Sequence, residues 1–173
     1  MQKRVVNKSS TGSLLKDIIL GGQDGIVNVL GLTLGVAAAT ADPRVVLIAG
    51  LAGGCAESIS MAAVAFTSTQ AEDDFARAHH KTSSDTPGSA AFVVGFSSLV
   101  GSLLPLIPFV FWSPVLASII AIIICGLVLF GTGFVKGQLT DSHTWRSGIE
   151  FLLIGLLSAL AGYAIGHWLG VIL

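Results

Sequence analysis

At 173 residues the chain is too short for two domains of ordinary size, and only 11% of it is charged, against roughly 25% in a soluble domain. So little charge cannot cover a water-facing surface, and a mean hydropathy of +0.84 agrees. A net charge of −1 and a pI of about 6.4 provide no basic field for nucleic acid.

A helix needs about 20 mostly apolar residues to cross a bilayer. Residues 1–13 are too polar for this and read as an arm carrying Lys3, Arg4 and Lys8. The first span is predicted at 14–40. It follows a basic arm and contains Ala37-Ala38-Ala39, features shared with a cleavable signal. However, a signal's apolar run is roughly 7–15 residues long, and this one is longer and holds Gln23, Asp24 and Asn28. The second span is predicted at 45–67, after Asp42-Pro43. Proline has no backbone donor and restricts the residue before it, so a helix stops there. A polar linker at about 68–89 follows, its start continuing the second helix into water. The third span, 90–112, contains Pro105 and Pro108, which predict a kink or local unwinding. Trp112-Ser113-Pro114 separates it from the fourth span, 115–135. After a polar connection at 136–148 the fifth span runs over 149–173. The expectation is an all-α integral membrane protein, one domain over 14–173 with five transmembrane helices.

Orientation follows from basic residues near the span ends. Eight of the nine Lys and Arg, namely Lys3, Arg4, Lys8, Lys16, Arg77, Lys81, Lys136 and Arg146, fall on one side of a five-span chain. Only Arg44 falls on the other. The amino terminus is therefore expected in the cytoplasm and the carboxyl terminus outside or in a lumen. Cys55 and Cys125 both lie in apolar runs, which argues against a disulfide framework.

Two acids are out of place in lipid. Asp24 lies in the first span and Glu57 in the second, and a carboxylate at a helix centre costs roughly 2.5–3.5 kcal/mol to insert. Residues three or four apart share a helix face, so Asp17, Gly21, Asp24 and Asn28 form one stripe and Gly53, Glu57 and Met61 another. Facing each other, the stripes would bring carboxylates, an amide and a thioether into a cleft lined by glycine. That set suits a divalent transition metal, whereas oxygen alone would suit Mg²⁺ or Ca²⁺ equally well. The bland readings are helix packing for Asp24, a protonated structural acid for Glu57 and simple packing for Met61. In the linker, Glu72, Asp73, Asp74, His79 and His80 read first as a solvated helix extension and second as a metal collector at a cytoplasmic entrance. His167 beside Trp168 reads as an interfacial anchor. The Gly31-x-x-x-Gly35 and Gly162-x-x-x-Gly166-x-x-x-Gly170 faces predict close helix approach, within the chain or between two copies. With no nucleophile–base pair, an enzyme is not expected, nor is a resident cofactor.

Four segments in order resemble the vacuolar iron transporter family of plants and yeast, with its nodulin-like relatives. They are residues 17–27 (DIILGGQDGIV), 59–63 (ISMAA), 101–109 (GSLLPLIPF) and 145–155 (WRSGIEFLLIG). The resemblance implies a five-helix protomer, a two-fold homodimer, and a metal path at the dimer interface that exchanges cytoplasmic Fe²⁺ for protons. It implies that Asp24 and Met61 line that path. The family's second-helix glutamate falls where this chain has Gly53, with Glu57 one turn nearer Met61. The linker is too short for the cytosolic metal-binding domain of many members, so this chain resembles the short ones. Mn²⁺ transport and a non-transporting metal sensor or assembly protein are the alternatives.

Overall fold

The computed structural model describes residues 3–40, 42–79, 86–140 and 142–172, with side chains described from residue 12 onward. Helices α1 (Lys3–Thr40) and α2 (Pro43–Ala78) are followed by α3 (Pro87–Leu103), a 3-10 turn (Leu104–Leu106) and α4 (Ile107–Phe111). Helices α5 (Pro114–Leu139) and α6 (Thr144–Ile172) complete the chain. No strand occurs among the described residues. Five stretches are long and apolar enough to cross a bilayer: Gly12–Thr40, Pro43–Ala78, Pro87–Phe111, Pro114–Leu139 and Thr144–Ile172. The chain is thus an all-α, multi-pass membrane protein.

The helix boundaries follow the expected local chemistry. Asp42 caps α2 by accepting a hydrogen bond from the Arg44 amide at 2.8 Å, with Pro43 in the first turn, where its missing N–H costs nothing. Trp112 is extended, and Pro114 opens α5. The third span loosens into a 3-10 turn at Pro105 and resumes as α4 across Pro108; both prolines are buried. Helix α1 exceeds the sequence reading, its backbone being already helical from Lys3, inside the expected arm, whereas α2 continues to Ala78 as the expected extension into water. At 1.5 Å per residue each is more than 50 Å long, against a hydrocarbon core of about 30 Å. Because the two run antiparallel, both project beyond the bilayer on the same side.

Helix α1 is the hub, packing on α2, α3, α5 and α6. Its apolar stripe Ile26, Leu30, Leu34 and Ala37 meets Phe109, Phe151, Ala159 and the face of α5 made by Ala117, Ala121, Cys125 and Leu129. Those four α5 residues recur every fourth position and are wholly buried. Elsewhere α1 approaches its neighbours through glycine. A Cβ on Gly162 would strike the Gly31 carbonyl, and one on Gly166 the Gly35 carbonyl; a Cβ on Gly35 would lie 2.9 Å from the Gly162 oxygen. Both glycine faces therefore meet each other within one chain, α1 against α6. Cys55 is exposed, Cys125 is buried, and both are free.

Candidate functional site

Asp24 sits near the middle of the first span and Asn28 one turn farther on. Both look toward α2, where Glu57 reaches across. Asn28 Nδ2 donates to Glu57 Oε1 at 2.7 Å, and the Asp24 carboxyl is within hydrogen-bonding reach of both Glu57 and Asn28. The two stripes expected from helical spacing thus do come together, at the level of Asp24, Asn28 and Glu57. Asp24 and Glu57 are half-buried and Asn28 is exposed, so the group opens on the outside of the protomer at mid-membrane depth.

The rest of the stripes behave otherwise. Gly21 and Gly25 do not line the cleft. They admit α3, with Ser97 and Val94 against Gly21 and Ser98 and Ser102 against Gly25. Gly54 likewise takes Ser102. Asp17, half-buried at the start of the stripe, offers its carbonyl to the Ser97 hydroxyl at 3.5 Å. Glycine in both helices therefore serves close approach by a third helix, which only Gly permits without displacing backbone. Gly53 lies under Leu32, whose Cδ2 would be 2.6 Å from an added Cβ. Met61 is half-buried and packs toward Ala65, Ala90 and Val94. It follows Glu57 by four residues, about 6 Å along the helix toward the Ala78 end. Because α2 runs against α1, that end is level with the start of α1. Met61 consequently lies nearer the basic side of the bundle than the carboxyl pair does.

The linker acids lie along the exposed extension of α2. Asp74 pairs with Arg77 at 4.0 Å, and His79 Nδ1 is 2.9 Å from the Phe75 carbonyl with its ring against that of Phe75. Glu72 is exposed and Asp73 half-buried. Among the described residues no three His, Cys, Asp or Glu side chains gather closely enough to hold a metal. His80 and Lys81 lie outside the described residues, as do the side chains of Lys3, Arg4 and Lys8. His167 stacks on Tyr163 with ring centroids 5.9 Å apart on the exposed side of α6.

Comparison with known proteins gives this arrangement a setting. The model of the VIT family matches residues 15–86 and 77–167. The chain belongs to the VIT family. It is 32% identical over 168 residues to vacuolar iron transporter homolog 2 of Oryza sativa subsp. japonica, covering 87% of this chain and 88% of the relative. It is 31% identical over 175 residues to homolog 1 of the same plant, covering 92% and 75%. Vacuolar iron transporter 1 of Eucalyptus grandis is 23% identical over an alignment of 213 positions, covering 89% of this chain and 86% of that one. That alignment is longer than the chain itself, so the Eucalyptus protein carries residues with no counterpart here.

Within this VIT-family fold one contact escaped the sequence reading. The Ser158 hydroxyl on α6 donates to the Val27 carbonyl on α1 at 2.8 Å, one residue from Asn28. A signal existed, because Ser158 precedes Gly162 and Gly166 at four-residue spacing and so shares their face. Ser98 and Ser102 are also buried, with hydroxyls that meet no hydrogen-bond partner, where α3 crosses α1 and α2.

Proposed function

We propose that this protein carries divalent transition-metal ions, Fe²⁺ foremost, out of the cytoplasm in exchange for protons. The observation that carries the reading is the meeting of Asp24 and Glu57, with Asn28, inside the first two spans. Kinship with proteins named for vacuolar iron transport supports the cargo, and a transporter rather than an enzyme is what such kinship implies. Two carboxyls this close in an apolar medium are costly unless a proton or a cation stands between them. A proton and a metal ion compete for the same oxygens. Metal arriving from one side therefore expels a proton, and a proton arriving from the other releases the metal. Met61, one turn nearer the basic side, offers a thioether to the incoming ion, and a soft ligand at that step favours Fe²⁺ over Mg²⁺ or Ca²⁺. The acidic extension of α2, with Glu72, Asp73 and Asp74, together with His79 and His80 that follow it in the sequence, collects cations at the entrance.

One protomer leaves this polar group facing lipid, which argues for a cover. A second copy related by a two-fold axis past α1 would enclose the site and double its ligands. Flux in sealed vesicles tests the reading. Fe²⁺ entering protein-containing vesicles faster than protein-free ones is the expected result. Metal that binds without crossing would make the protein a sensor instead.

A further inference from the structure

Asn28 is the uncharged member of the α1–α2 group, and its place there is unusual. Its Nδ2 donates to Glu57 Oε1 at 2.7 Å while Asp24, one turn earlier on the same helix, faces the same amide. An NH₂ group carries two protons, one for each carboxyl. The amide therefore supplies donors to the carboxyl pair, as a cation would supply charge. An N–H cannot ligate a metal, so an ion entering between Asp24 and Glu57 must displace it. A half-turn about the last side-chain torsion, which is broad and roughly two-fold, replaces Nδ2 by Oδ1. Two donor contacts then become a third oxygen ligand.

We propose that Asn28 is the specificity-determining residue of this site: its amide donors occupy the carboxyl oxygens of Asp24 and Glu57 while the site is empty, and its Oδ1 ligates the ion when the site is filled. The inference rests on the transport reading above and adds to it. All three side chains at the carboxyl pair then give oxygen, which suits Mn²⁺ as well as Fe²⁺ and disfavours Zn²⁺, whose usual ligands are nitrogen and sulfur. Competition between the amide and the ion keeps binding weak enough for release.

The test measures Mn²⁺ binding to the purified full-length protein by electron paramagnetic resonance, with Zn²⁺ as competitor, alongside Mn²⁺ uptake by vesicles. Asn28→Asp keeps the shape and replaces the donors by a third carboxylate. It is expected to tighten Mn²⁺ binding about tenfold and to lower KM and kcat together. Asn28→His supplies a nitrogen ligand and is expected to move preference from Mn²⁺ toward Zn²⁺ by about tenfold. Unchanged Mn²⁺ affinity and unchanged Mn²⁺-to-Zn²⁺ preference in both variants would overturn the proposal. If Asn28→His does not fold, the near-isosteric Asn28→Asp decides alone. Asn28-dependent Mn²⁺ binding without flux would support this inference and sink the transport reading, whereas flux indifferent to Asn28 would do the reverse.

Discussion

Glu57 shows what a one-turn shift does to a polar group in a membrane. Its carboxyl meets Asn28 and Asp24, while position 53, one turn earlier, lies beneath Leu32. The acid and its partners are thus matched across α1 and α2 in this chain. Met61 is matched differently, its side chain turned toward Ala65, Ala90 and Val94. As a volume-conserving change, Met61→Leu should cost less than about 1.5 kcal/mol of stability. Its loss of sulfur should lower the preference for Fe²⁺ over Mg²⁺ or Ca²⁺ in competition uptake. A variant that folds normally and keeps that preference would reduce Met61 to packing. Asp24, Asn28 and Glu57 were legible in the sequence because an acid in an apolar run needs a reason and helical spacing names its face. Spacing on one helix cannot give the level at which two antiparallel helices meet, so the position of Met61 relative to the pair came only from the fold.

At the scale of helices, the α1–α6 seam is the closest contact. Ser158 donates to the Val27 carbonyl at 2.8 Å at one end of it, and Gly170 closes on Ala39 at the other. Interhelical hydrogen bonds in membranes average about 0.6 kcal/mol, so backbone packing rather than this bond holds the seam. Gly166→Ala places a methyl on the Gly35 carbonyl and should destabilise the protein by about 1–3 kcal/mol, seen as a lower Tm in detergent. Gly131 has open space around its missing Cβ. Gly131→Ala should leave Tm unchanged or raise it, because alanine favours helix over glycine by about 1 kcal/mol. Equal effects from both would mean that the seam is not tightly packed. The span boundaries were readable from hydropathy and proline. Whether the glycine faces pair within a chain or between chains was not, because a small-residue face looks the same to either partner.

For the whole molecule, five spans put the two ends of the chain on opposite sides of the membrane. The asymmetry of basic residues predicts that the amino terminus and the α2–α3 connection face the cytoplasm. Reporter tags should therefore be cytoplasmic at the amino terminus and in the α2 extension, and external or lumenal at the carboxyl terminus. Both termini on one side would contradict five crossings. With that orientation, the proposed transport would run from the projecting ends of α1 and α2, past Met61, to Asp24 and Glu57. The proposed exchange depends on Asp24. Asp24→Asn keeps the side chain's shape and removes both its charge and its titratable proton, which the proposed exchange requires. The most direct measurement is proton movement accompanying Fe²⁺ uptake into proteoliposomes, wild type against Asp24→Asn, with folding of both verified. The expected result is Fe²⁺-dependent proton movement in the wild type and loss of both fluxes in the variant; undiminished, proton-coupled Fe²⁺ flux in Asp24→Asn would contradict it.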